Sequence, residues 1–470
     1  MSAMDKANPI LNKSPVTKQP DGTATSDSHD DCYVVAEHTQ EVPVSFGLLS
    51  LTGLGIIIGV VWPASGGSIQ VAIFNGGSPG VLYEFIVVSF FYFFVAASLA
   101  ELASAMPSSA GVYYWASVTP GKRYGRVVGF FVGWWNYLGW ICAGASMAAI
   151  WSNSIIQIYA LKHPDYIMKE VHVFVVFVIS LARLLLGLLR WSGNASSQPV
   201  RHLLASDRPA YDDSGSCSCT TSKRGKWPCN FIFLFLCGIL NGAYSVGCPA
   251  AVSHLAEEIP RPQRNVPLAM GLQVITGFIT GFLYLIALMY SIHSYDRIFA
   301  SQFPLAEIYL QATGSADGTI CLLVLMQTCI GLTIVDLYIT CGRTLWTLSR
   351  DGATPWPLVF SKFNLKFDAP INATMASAVL VTLMGCVYVT SKTALNAIIG
   401  SKLGLVVIAI ASAYMVIAFV IYCLPFSLPV TAKNVNYACL VWGGSILLLG
   451  ISWLWKGRHG YIGPIRETSN

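Results

Sequence analysis

Asn241 to Met270 reads NGAYSVGCPAAVSHLAEEIPRPQRNVPLAM. The stretch opens inside an apolar run and holds Gly242, Gly247 and Pro249 at mid-membrane depth. It ends in a loop that mixes Glu257 and Glu258 with Arg261 and Arg264. A straight helix is not built this way, because glycine costs about 1 kcal/mol in a helix interior and proline about 3 kcal/mol. Gly247-Cys248-Pro249 is therefore where the helix is expected to open. Backbone groups freed at that depth are tolerated only against protein or a water-filled cavity, which makes the opening a candidate solute site. The first apolar run repeats the device: Gly53 to Pro63, GLGIIIGVVWP, places three glycines and a proline inside one span. Two interrupted helices in one bundle point to the central site of a secondary transporter.

Composition agrees with a membrane setting. Of 470 residues, 54% are hydrophobic and 11% charged, which excludes a soluble domain of ordinary make-up and implies an all-α polytopic membrane protein. The net charge of +5 says little, since the placement of Lys and Arg matters more than their sum. No basic patch suggests a nucleic-acid partner. The thirteen cysteines are scattered, and Cys217-Ser218-Cys219 is too tight for a zinc knuckle, so they read as small core residues and no metal or other cofactor is expected. No nucleophile–base pair, metal set or phosphate loop suggests an enzyme.

Residues 1–45 are polar and lack an apolar core, so they read as a disordered cytosolic tail without a cleavable signal. Apolar runs long enough for about 30 Å of hydrocarbon follow. They fall near 46–74, 80–105, 127–160, 171–189, 229–254, 268–292, 318–342, 371–389, 403–425 and 436–455, ten candidate spans. Between the second and third, Tyr113, Tyr114 and Trp115 precede Lys122, Arg123 and Arg126, which suggests a short interfacial helix in a cytosolic loop. Glu84 and Glu101 are expected near the two ends of the second span, tied to neighbouring backbone groups. Asp336 lies deep in its run, and an intramembrane carboxylate usually faces a cavity or a partner.

Several segments carry a resemblance. Gly53 to Pro63, AELASAMPSSAGVYYW, the segment from His254 (HLAEEIPRPQRNVPLAM) and Arg343 to Pro355 (RTLWTLSRDGATP) resemble the amino acid, polyamine and organocation permeases. NGGSPGVLYE at 75–84, SLPVTAKNVNY at 427–437 and GRHGYIGP at 457–464 are similar to fungal GABA and choline permeases. The resemblance implies a leucine-transporter-type fold: two inverted five-helix repeats, broken helices one and six, and twelve spans. The permease domain would run from 46 to 457, with a cytosolic C-terminal tail at 458–470.

Opening helix one leaves backbone N–H groups that suit a substrate carboxylate, and the resemblance implies this role for Gly55, Ile58, Gly59 and Val60. The amine end would face helix six at Tyr244, Ser245, Gly247 and Cys248. Many related permeases carry an Asp near Ala250, which this chain lacks; Trp62, Tyr244 and Trp135 are available for cation–π contact. The expected activity is alternating-access uptake of GABA, another amino acid or choline across a plasma or organelle membrane. It would be coupled to a proton in preference to sodium, with Glu101, His254 or Asp336 as carrier or gate.

The chain departs from the pattern twice. Arg190 to Pro228 is polar where helix five is expected, and Ala394 to Phe426 is one apolar run where helices ten and eleven are expected. If ten spans alternate from a cytosolic N-terminus, Arg261, Arg264, Arg343, Arg350, Lys362 and Lys366 fall outside, against Arg297, Lys392 and Lys402 inside. That reverses the positive-inside pattern, and one further crossing in each gap restores it. Without its fifth helix the chain is expected to transport poorly, and the rival reading is a non-transporting membrane sensor or an inactive truncated permease.

Overall fold

The computed structural model describes residues 48–59, 61–163, 166, 170–194, 241–246, 248–301, 303–364, 369–390, 438–457 and 461. The expected tails at 1–45 and 458–470, apart from Tyr461, lie outside the described residues, as do the span at 403–425, most of the polar segment at 190–228 and the run at 394–426.

The first apolar run is interrupted where its glycines predict. Leu48–Ile58 (α1) stops and Val61–Gly67 (α2) begins, with Gly59 in a turn whose N–H still reaches the Gly55 carbonyl at 2.8 Å. Ile69–Ala105 (α3) follows and contains a kink at Gly77 (φ 63°, ψ −168°), between the first two expected spans. Only a residue without Cβ takes that backbone cheaply. The second break also falls as expected. Helical residues 241–246 (α7) give way to a 3-10 helix, Pro249–Glu258, entered through Cys248 in the left-handed region (φ 79°). Pro249 fits the first helical position because its missing N–H would have no partner there. Gly247 and Val60 themselves lie outside the described residues.

The remaining helices are Val112–Val118 (α4), Gly121–Lys162 (α5), Glu170–Asn194 (α6), Pro262–Tyr290 (α8), Tyr295–Ala300 (α9), Pro304–Thr313 (α10), Ala316–Arg350 (α11), Pro357–Phe360 (α12), Ile371–Thr390 (α13) and Ala438–Ser452 (α14). Among the described residues, four helices are long and apolar enough to cross a bilayer: Gly77–Ala105, Arg123–Lys162, Pro262–Tyr290 and Ala316–Arg350. On α8, Leu268, Leu272, Ile275, Ile279 and Leu283 are exposed, while Met270, Gln273, Val274, Gly277 and Gly281 are buried. An apolar outer stripe at helical spacing is what a hydrocarbon solvent selects.

Three local expectations need correction. Tyr113, Tyr114 and Trp115 are buried against the protein and do not anchor an interface. Their polar atoms have internal partners that make burial affordable: Trp115 Nε1 donates to the Met106 carbonyl (2.8 Å) and Tyr113 Oη to Asp351 Oδ2 (2.7 Å). Arg343, expected in a loop, lies inside α11 and is buried, where the neighbouring hydroxyls of Thr344, Thr347 and Ser349 are satisfied by the helix's own carbonyls. The polar segment expected to begin at Arg190 starts helical, because α6 runs to Asn194.

Candidate functional site

Both interrupted helices lean on α8. A Cβ on Gly55 would stand 2.8 Å from Val252 Cγ2 and 3.1 Å from Gln273 Oε1; one on Gly59 would stand 2.5 Å from Gln273 Nε2. The glycines thus allow α1 to approach the 3-10 helix and α8 at backbone distance. Beyond the break, Val61 seats on the small residues of α8, since Cβ atoms on Gly277 and Gly281 would meet its methyls at 2.7 and 2.5 Å. Small residues four apart are a common way for membrane helices to pack closely.

Gln273 is the residue the sequence reading missed. It is 3% exposed, its Nε2 donates to the Cys248 carbonyl at 3.4 Å, and its Oε1 has no hydrogen-bond partner among the described residues. One carboxamide therefore touches both helix breaks. The available signal was a lone amide in the apolar run GLQVITGFITGF.

Hydroxyl contacts join α2 to α7. Ser65 donates to Ser245 Oγ (2.7 Å), Ser245 donates to the Asn241 carbonyl (2.7 Å), and Ser68 Oγ lies 2.5 Å from the Asn241 carboxamide. Tyr244 Oη lies 2.9 Å from Ser146 Oγ on α5. Trp62 packs edge-on against Tyr284 (5.3 Å between centroids), and Tyr284 Oη is 2.7 Å from Tyr309 Oη. Trp135 packs on Phe131 at 6.2 Å. The three aromatic residues offered for cation–π contact are thus engaged with protein neighbours.

Of the three residues expected to carry or gate a proton, two are buried and one is not. His254 Nδ1 donates to the Ser109 carbonyl (3.0 Å), which settles that nitrogen as the protonated one. Its Nε2 is buried without a hydrogen-bond partner among the described residues, and its ring meets Trp140 edge-on at 5.9 Å. Asp336 is buried on α11, and neither carboxylate oxygen has a partner among the described residues. Arg343, two turns along the same helix, acts electrostatically on both Asp336 and His254. Glu101 stands exposed near the end of α3. Glu84, expected to be tied to backbone groups, is instead 1% exposed, with neither oxygen partnered among the described residues. Ile58 belongs to the last turn of α1.

Residues 46–428 match the sequence profile of the amino acid permease family. The chain belongs to the amino acid permease family. It is 26% identical to the choline transporter of Saccharomyces cerevisiae, a match spanning 93% of this chain and 85% of that one. The 7-keto 8-aminopelargonic acid transporter of the same yeast is 25% identical over 86% of this chain and 91% of its own. The amino-acid permease BAT1 of Arabidopsis thaliana is 23% identical, over 83% and 87%. Among solved structures, a manganese transporter of Eremococcus coleocola aligns with a TM-score of 0.38 at 14% identity, covering 91% of this chain and 98% of that one. This permease is a multi-pass, all-α membrane transport protein.

Proposed function

We propose that this permease carries a small amine-bearing solute, such as GABA, another amino acid or choline, by proton-coupled alternating access. The observation that carries the reading is the meeting of two helix breaks on one face of α8. At Gly59 and at Cys248 the chain leaves helical geometry beside the same buried carboxamide. Backbone that departs from helix inside a bilayer is held where it lines a cavity, and such paired breaks mark solute sites. In this reading the backbone at the first break, at Gly55, Ile58, Gly59 and Val60, receives a carboxylate, for which the Gly59 N–H would exchange its 2.8 Å bond to the Gly55 carbonyl. Carbonyls around Tyr244, Ser245, Gly247 and Cys248 receive the amine. The names of the relatives, a choline transporter and an amino-acid permease among them, support the same substrate class.

Alternation needs contacts on either side of the breaks that open in turn. Ser65–Ser245 and Tyr284–Tyr309 are proposed for one side and His254–Ser109 and Tyr113–Asp351 for the other, all four being closed together in this structure. Asp336 and His254, with Arg343 acting on both, are the proposed proton carriers, because an intramembrane carboxylate is costly and marks ion pathways. Radiolabelled GABA, amino-acid and choline uptake into vesicles holding the 470-residue chain tests this. Because residues 190–228 are polar where a fifth helix is expected, slow but saturable uptake accelerated by an inside-alkaline gradient is expected, and Asp336→Asn should retain exchange while losing gradient-driven accumulation. Uptake indifferent to the gradient removes the proton. Saturable binding without any uptake would make the chain a sensor.

A further inference from the structure

We infer that Gln273 determines specificity in this site, its Oε1 accepting a hydrogen bond from a substrate ammonium N–H, so that the permease favours amines bearing N–H over quaternary ammonium solutes. The inference rests on the solute-site reading above and narrows it to a chemical class. Four observations carry it. The side chain is 3% exposed on the protein-facing side of α8. Its amide orientation follows from its partner, because the Cys248 carbonyl at 3.4 Å accepts only, so the nitrogen must face it. The oxygen is then directed away from Cys248 and has no partner among the described residues. It lies beside Gly55, where a Cβ would come within 3.1 Å, so only a glycine lets the α1 break sit directly against the acceptor.

A buried carbonyl acceptor without a donor is an incomplete hydrogen-bonding site, and proteins rarely leave one idle. Here the missing donor would arrive with the solute. A primary ammonium offers three N–H groups, whereas a trimethylammonium offers none and interacts with a carbonyl only as a diffuse charge. Sites built to hydrogen-bond a substrate group discriminate strongly against analogues that lack it.

The probes are γ-aminobutyrate and its N-methyl, N,N-dimethyl and N,N,N-trimethyl derivatives, which differ only in the number of N–H donors. Binding is measured by displacement of radiolabelled γ-aminobutyrate and, separately, of the radiolabelled trimethyl form, on the purified full chain in detergent. In the wild-type protein, affinity should fall by roughly tenfold or more between the dimethyl and trimethyl forms, where the last N–H disappears. Gln273→Leu should weaken the primary amine by roughly tenfold while leaving the trimethyl form within about twofold. Gln273→Glu keeps an acceptor oxygen and should retain the primary-amine preference, which covers the case in which the leucine variant fails to fold. Equal weakening of both forms in either variant would make Gln273 a staple between the two helix breaks and overturn the inference. A wild-type chain that binds the series with no step at the trimethyl form overturns it while sparing the solute site. A wild-type chain that binds none of the four, nor any amino acid or choline in the uptake panel, overturns both readings.

Discussion

Gly59 and Cys248 show how single backbone positions shape the site. Gly59 is where α1 leaves the helix, and a Cβ there would reach 2.5 Å from Gln273 Nε2, the far end of a flexible side chain. Gly59→Ala should therefore be tolerated with about tenfold weaker ligand binding, whereas Gly59→Leu should abolish binding while the protein still reaches the membrane. Radioligand binding beside surface expression separates the two effects, and full affinity in the leucine variant would show that backbone does not approach ligand here. Cys248 holds a left-handed conformation (φ 79°), which costs an L-residue about 1–2 kcal/mol. Branching at Cβ raises that cost. Cys248→Val is expected to lower thermal stability in detergent while Cys248→Gly does not; the opposite order would mean that the thiol, and not the backbone, governs this position.

At the level of elements, the fold depends on how α2 and α4 dock. Val61 sits against Gly277 and Gly281, and Cβ atoms at these positions would come within 2.7 and 2.5 Å of it. Gly281→Leu should drive α2 off α8 and cut the yield of monodisperse protein severalfold. Ile279→Leu, on the 52% exposed face, should leave the yield unchanged. Size-exclusion profiles of the two variants decide the matter, and equal yields would sink the packing account. On α4, Tyr113 Oη donates to Asp351 Oδ2 and lies 2.7 Å from Tyr461 Oη, while Arg126 Nη2 donates to the Tyr461 carbonyl at 2.5 Å. This fastens Tyr461 to the start of α5 and the end of α11. Burial, then the Asp351 charge, push the Tyr113 phenol well above its ordinary range. A raised phenol contributes stability that is fully present below its unfolded pKa of about 10 and is lost only as pH rises through the folded value. Tyr113→Phe should cost about 1–3 kcal/mol, and the loss should be the same at about pH 6 and about pH 8. A loss that changes between those two pH values would assign the titration to another group.

For the molecule as a whole, orientation is the open choice that loop charges address. The basic residues after α11 and before α8 favour the cytosol only if the chain crosses once more in each of its two irregular stretches. In a cysteine-free background, Leu358→Cys should be shielded from an impermeant thiol reagent added outside, and Ala312→Cys should react. The opposite labelling would mean that the inverted arrangement inserts after all. The positions follow from structure. A cysteine at Leu345, 3% exposed inside α11, would be shielded in either orientation, whereas Leu358 is 82% exposed.

The helix breaks were legible in the sequence because their cause is local. Glycine and proline change the cost of helix at their own positions, so Gly59 and Cys248-Pro249 announce interruptions whatever surrounds them. Likewise, apolar runs of membrane length need no partner to be recognised. Which side chains meet at the breaks was decided only by tertiary packing. Gln273 reaches the Cys248 carbonyl from 25 residues away, and Ser65 reaches Ser245 across 180. Tyr113, Tyr114 and Trp115 read as an interfacial belt because an aromatic cluster beside basic residues has the same local pattern in both settings; Met106, which accepts from Trp115, is only nine residues away, but the Asp351 that accepts from Tyr113 is 238 residues away. Arg343 read as loop because a charge at the end of an apolar run is costly in a membrane helix unless the fold buries it, as α11 does here.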